Sequence, residues 1–154
     1  MKRLLCVDGQ LTPKDSKSHI VHVFNVETGG GKLIFMFSYE PKKLIDNDVA
    51  KELIKESITK YIGNEKEQVL IRWRSFLPLQ NLITISIDDP FRFRGAAHRH
   101  SPDQELFISE NNSSPGLLFG KIISGKWMVT ISAHAVVTEV CNYKLTVYKA
   151  EEIL

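Results

Sequence analysis

NLITISI at residues 81–87 alternates strictly, with Ile83, Ile85 and Ile87 on one side and Thr84 and Ser86 on the other. KWMVTISAHAVV at 126–137 repeats the pattern, setting Trp127, Val129, Ile131, Ala133 and Ala135 against Met128, Thr130, Ser132 and His134. Side chains leave an extended chain on alternate sides, so each stretch builds one apolar face for a core and one wetter face. Asp88-Asp89-Pro90, Ser114-Pro115-Gly116 and Ser124-Gly125 separate the apolar segments of 81–149 with turn chemistry, where an antiparallel sheet reverses. The pattern predicts an all-β fold, an antiparallel β-sandwich, with one helix added.

The remainder of the chain is read outward from this core. With 43% hydrophobic and 25% charged residues, the composition is that of an ordinary globular protein, and 154 residues suffice for one core. One domain over 1–154 is therefore expected. A net charge of +2 carries no electrostatic footprint for nucleic acid. Met1–Val7 begins like a leader but breaks at Asp8-Gly9, and its apolar run is too short for a signal core or a membrane span. The expectation is a cytoplasmic protein without membrane association. In that setting Cys6 and Cys141 read as reduced thiols packed as small apolar groups, bridged only if the chain ends lie side by side.

A short opening strand is predicted at 4–12 and a strand at 18–26, with Gly29-Gly30-Gly31 turning the chain into another at 32–39. Both of the latter are apolar on both sides. Leu33, Phe35, Phe37 and Tyr39 oppose Ile34 and Met36, and Val21 and Val23 oppose Ile20, Phe24 and Val26, so cover on both faces is expected. Val49, Ala50, Leu53, Ile54, Ile58, Tyr61 and Ile62 form a helical stripe. Asp46, Asn47 and Asp48 are candidate caps, and Gly63 a stop. This predicts a helix over 47–62, inside an insertion spanning 40–80, that covers the outer face of the sheet holding 18–39. Residues 64–68 read as a charged loop and Val69-Leu70-Ile71 as a short strand. Trp73, Phe76 and Leu77 are apolar anchors that pack beside the helix or mediate self-association.

Phe93-Arg94-Gly95, the run Ser114-Pro115-Gly116-Leu117-Leu118-Phe119-Gly120-Lys121-Ile122, Ser124-Gly125-Lys126-Trp127 and the ending Tyr143–Val147 together resemble a known module. The pattern is similar to the N-terminal β-sandwich (jelly-roll, pre-peptidase C-terminal-like) domain that accompanies bacterial PHP-type metal-dependent phosphoesterases. The resemblance covers roughly 18–39 and 81–149. It departs where Ala96 and Ala97 stand in place of the tryptophan usual after the Arg-Gly pair, and the catalytic domain that would follow is not in this sequence. The resemblance implies an accessory jelly-roll, acting beside a separate enzyme or on a ligand of its own, and no catalytic residue here.

Two clusters carry chemistry. His98 and His100 project to one side of an extended chain, and with an oxygen from Glu105, Asp103 or Asp88 they are candidate ligands for a divalent metal ion. Arg92, Arg94 and Arg99, joined by these histidines, are candidates for a polar or anionic ligand, because guanidinium forks match carboxylate and phosphate. The plainer reading is a solvent-facing loop neutralised by Asp88, Asp89 and Asp103. His134 shares a face with Thr130 and Ser132, a candidate polar binding surface, whereas His19 and His22 fall on opposite faces of their strand. Gly29–Lys32 leads into a strand rather than a helix, and Gly116–Lys121 lacks P-loop spacing. Exposed aromatics for nucleic-acid stacking are not expected, because most fall on core faces. The expected function is a non-catalytic accessory binding or assembly module without a cofactor. It would act through a partner protein, a homo-oligomer or a polar ligand such as a saccharide. The alternative is a metal-binding protein or metal-dependent hydrolase centred on His98 and His100.

Overall fold

The alternating stretches become two adjacent strands of one sheet in the computed structural model, which describes residues 1–98 and 100–151. Strand β4 (Leu82–Asp88) pairs antiparallel with β7 (Gly125–Ala135), Ile85 standing opposite Ile131. The faces divide as the pattern requires except at Thr84, which is on the outer face yet buried, against His134. Ile83, Ile85, Ile87, Trp127, Val129, Ile131 and Ala133 are buried, and Met128 and His134 are exposed.

The other strands are β1 (Lys2–Leu11), β2 (Ser18–Val26), β3 (Lys32–Glu40), β5 (Phe93–Ala97), β6 (Asp103–Ser109) and β8 (Cys141–Ala150). They form two four-stranded antiparallel sheets, ordered β1-β8-β3-β6 and β2-β7-β4-β5. This interleaving is the strand order of a jelly roll, the predicted fold. Side chains of both inner faces meet in one core, where Phe24 of β2 lies 6.2 Å from Phe35 of β3 and 6.2 Å from Trp127 of β7, centroid to centroid. Offset and edge contacts of this kind add to what apolar burial alone contributes.

The sheet arrangement corrects three expectations. Strands β2 and β3 do not share a sheet: the glycine run carries the chain from one layer to the other. Gly30 and Gly31 have φ of 87° and 76°, and a methyl group on Gly31 would collide with the carbonyl oxygen of Ala150, so this corner needs glycine. The outward Val21, Val23 and Met36 are exposed rather than covered. Helix α1 (Asn47–Tyr61) instead packs beside a second helix, α2 (Lys66–Ile71), and the 3-10 turn Trp73–Phe76. Residues 66–71 are thus helical, not a loop and a strand. The Val69 N–H donates to the Glu65 carbonyl, an i to i−4 bond that overrides the β preference of Val69-Leu70-Ile71. Asp46 caps α1 by accepting from the Asp48 and Val49 N–H groups, and Ala50, Ile54 and Ile58 form its buried stripe.

The thiols belong to different faces. Chain ends do lie together as β1 and β8, but Cys6 pairs with Thr146 and Cys141 with Leu11. Five residues of extended chain separate them, about 17 Å. Cys141 is buried, which pushes its thiol up to about 11, and Cys6 is exposed. Among the described residues no helix is long and apolar enough to cross a membrane.

Asn81 joins the insertion to the sandwich. It is fully buried, and its side chain donates at 2.8 Å to both the Pro41 carbonyl and the Thr138 hydroxyl while accepting from the Val137 N–H at 2.7 Å. Its backbone N–H donates to Lys42, closing the two legs of the insertion against each other. Asn81→Ala strands these partners away from water, and the expected loss is about 2–3 kcal/mol. Urea unfolding checks this; an unchanged midpoint refutes the clamp.

Candidate functional site

Arg94 is the most unusual residue of the molecule: a guanidinium with essentially no solvent contact. Its Nε donates to the Leu118 carbonyl at 3.1 Å and its Nη2 to that of Gly120 at 2.9 Å. Nη1 donates to the Lys121 carbonyl at 3.2 Å and to the Asp89 carboxylate at 3.1 Å. The guanidinium carbon lies 5.2 Å from the centre of the Trp127 ring. A buried cation is tolerable only with such saturation of its donors. Asp89 is held as firmly. It accepts the backbone N–H groups of Phe91 at 2.7 Å and Arg92 at 2.8 Å, forming the turn between β4 and β5. Burial alone would raise the Asp89 pKa, but those two N–H bonds and the Arg94 guanidinium outweigh it and hold the carboxyl below its ordinary value.

Segment 113–120 is thereby drawn across the open side of the sandwich. The Ala96 N–H donates to the Gly116 carbonyl and the Leu118 N–H to that of Arg94, so the segment lies along β5, an edge strand. On its other side the Gly120 N–H donates to the Ser109 carbonyl, and Ser114 exchanges bonds with Phe107, on edge strand β6 of the other sheet. Gly95, with φ of 109°, has no room for a side chain, because a methyl group would strike the Gly116 carbonyl. The Arg-Gly, Pro-Gly-to-Lys and Gly-Lys-Trp elements that carried the resemblance therefore meet in one structural unit.

What this unit presents to solvent is apolar. Phe91 is 88% exposed, Phe119 60%, Phe93 52% and Leu118 49%. They occupy neighbouring segments joined through Arg94, and Arg92, also exposed, reaches over Gly120. Phe91, Leu118 and Phe119 stand on loops, and Phe93 opens β5. This corrects the expectation that exposed aromatics are not to be found and that most fall on core faces. Phe91, Phe93 and Phe119 do not, and the short alternation Phe91-Arg92-Phe93 after Pro90 was the one local signal.

The structure disperses the other candidates. Arg94, expected in a surface cluster, is internal and fully engaged. Arg92 stays at the surface with its Nε 3.8 Å from Asp89, and Arg99 lies outside the described residues. His98 and His100 are exposed in the connection from β5 to β6, and Glu105 is exposed on the outer face of β6, paired with Met36. Among the described residues no three His, Cys, Asp or Glu side chains converge as metal ligands. His134 stands on the outer face of the other sheet, its Nε2 2.7 Å from the Thr84 hydroxyl, and His19 lies 2.9 Å from Ser132 on that face. His22 points inward, 3.0 Å from the Tyr143 hydroxyl, and burial lowers its pKa. A polar trough crosses the outer face of the β1-β8-β3-β6 sheet as two depressions of about 700 and 500 Å³, which share Ser38, Asp103 and Lys144; Glu105 lines the second.

No protein-family model matches this chain, and no curated protein does. Among solved structures it is similar to the crystal structure of a protein from Sulfurospirillum deleyianum. The two share 10% identity over 96% of this chain and 99% of that one, with a TM-score of 0.34.

The Arg94–Asp89 pair has a pH signature. Because the folded pKa of Asp89 lies below its ordinary 3.8, the pair stabilises the fold fully above that value and is lost as pH falls through the folded pKa. Asp89→Asn leaves a buried cation short of its counter-charge and is expected to cost about 3–5 kcal/mol at neutral pH. The gap between wild type and variant in urea unfolding should stay constant down to about pH 4 and narrow below it. Parallel curves through pH 2.5 would exclude a charge pair.

Proposed function

We propose that this chain is a non-catalytic β-sandwich binding module that docks a partner protein through Phe91, Phe93, Leu118 and Phe119, with Arg92 at the rim. The exposure of these four apolar side chains on loops braced by buried Arg94 carries the reading. Solvent-facing phenylalanines gain from burial, and the braced loops lose little freedom on binding, which favours affinity. Aromatic residues and arginine are also the side chains that dominate contact energies between proteins. Phenylalanine has no hydrogen-bonding group, so the patch suits a protein's apolar pocket better than a sugar's hydroxyls. Asp89 is shared by Arg92 and Arg94, which leaves this end with excess positive charge, and Lys121 is exposed beside it. The matching partner surface is an apolar pocket with a carboxylate at its edge. The family resemblance suggests a separate metal-dependent phosphoesterase as one such partner. The trough on the opposite sheet supports a second reading, a polar ligand such as a saccharide, because its Asp, Ser and Lys side chains supply acceptors and donors together.

A photo-activated cross-linker at position 119, with position 36 as the control, identifies the partner, which is then purified and titrated. Phe91→Ser, Phe119→Ser and Arg92→Glu are each expected to weaken binding at least about tenfold, as truncated anchors do, with thermal unfolding unchanged. Equal cross-linking from both positions, none from position 119, or full affinity of the double serine variant would overturn the assignment. For the second reading, titration with neutral oligosaccharides should show saturable binding that Lys144→Ala abolishes; no binding removes it.

A further inference from the structure

At the insertion end, a cleft of about 430 Å³ opens between α1 and the sandwich. Its walls are apolar: Leu53, Ile54, Ile58 and Ile62 from the helix side, with Phe76, Leu79, Val136 and Val137 opposite. Polar groups enter only from Glu56, Ser57 and Tyr61. Tyr61, an exposed residue of the lining, carries two cations. Lys17 donates to its hydroxyl at 3.4 Å and sits 5.6 Å from the ring centre, and the Lys60 ammonium sits 5.3 Å from the same centre. Among the described residues neither lysine has a carboxylate within ion-pair distance. Lys17 is itself constrained: its φ is 67° and its N–H donates to the Ala133 carbonyl, fixing the backbone from which this cation projects.

We propose that this cleft binds a single-chain amphiphile with an anionic head, a free long-chain carboxylate, its tail along Ile54, Ile58 and Val136 and its head between Lys17 and Lys60. An apolar cleft with a few polar groups is the usual build of a small-molecule site, and this volume sits toward the low end of the roughly 300–1,000 Å³ range, which suits one chain rather than two. Charge sets the polarity of the occupant. Two uncompensated ammonium groups at one mouth favour a carboxylate there, where charge-assisted hydrogen bonds are strongest. The site stands apart from the aromatic patch, so either can fail without the other.

Calorimetric titration with dodecanoate and with dodecanol, both below their aggregation limits, tests the head and the tail separately. Dodecanoate is expected to bind one to one, and dodecanol at least fivefold more weakly. Lys17→Glu, a surface change that leaves folding intact, should weaken dodecanoate at least fivefold and leave dodecanol unaltered. Ile58→Trp should abolish both by filling the cleft, with the circular dichroism of the variant confirming its helices; Leu53→Trp serves if that variant does not fold. Equal affinity for acid and alcohol, an indifferent Lys17→Glu, or no saturable binding refutes the proposal. Self-association of the free protein in light scattering, reversed by Ile58→Trp, would assign the cleft to a second copy of the chain instead.

Discussion

A single desolvated charge organises one half of this molecule. Taking a guanidinium out of water is unfavourable by several kcal/mol unless its donors and its charge are matched. Arg94 is matched by one carboxylate and by three main-chain carbonyls at 118, 120 and 121. Those carbonyls lie more than twenty residues further along the chain, so burying Arg94 compels the 113–120 segment to lie across the open side of the sandwich. The same requirement recruits Asp89, and with it the conformation of the turn that enters β5. Edge strands β5 and β6 are then both covered, which removes two exposed rows of backbone donors and acceptors that could otherwise template aggregation.

Once the backbone is held in this way, Phe91, Phe93, Leu118 and Phe119 have no inward position left. The inner side of β5 is occupied by Arg94 stacked on Trp127, and the glycines at 95 and 116 bring two backbones too close for any side chain between them. Exposure of the aromatics is thus a consequence of the buried cation rather than loose packing. A flexible loop bearing the same residues would fold them back onto the core. That distinction, between apolar groups unable to withdraw and apolar groups merely unburied, is the physical ground for treating the patch as a docking surface.

Alternation made the strands legible because a two-layer sheet protein buries every second residue. It says which residues are inside, but not which layer holds them. A glycine run that crosses between layers reads the same as one that turns within a sheet, which is why 18–26 and 32–39 were expected in one sheet. Outward Val21, Val23 and Met36 also led toward a covering helix. Sheet surfaces commonly keep such residues in water, so apolar character on a second face is weak ground for a layer. Arg94 was hidden for a different reason. Three of its four partners are carbonyl oxygens, which every residue has, so no side-chain pattern announces them, and an arginine two residues from another arginine looks like surface. Asn81 escaped notice in the same way, since its partners at 41 and 137 are also main-chain groups.

Strand β4 connects the two regions of interest: Asn81 and the insertion stand at its beginning, Asp89 and the aromatic turn at its end. Seven residues of strand separate them, about 23 Å. Both ends are tied into one core by buried hydrogen bonds, through Asn81 at one end and Asp89 at the other. Coupling between distant sites needs an element with two discrete states that both ligands bias. The central sheet strands, buried on their inner face and paired on both edges, are not such an element. Occupation of the proposed site under α1 should therefore leave the affinity of the proposed aromatic docking surface unaltered, because the strand that joins them has no second state to transmit it.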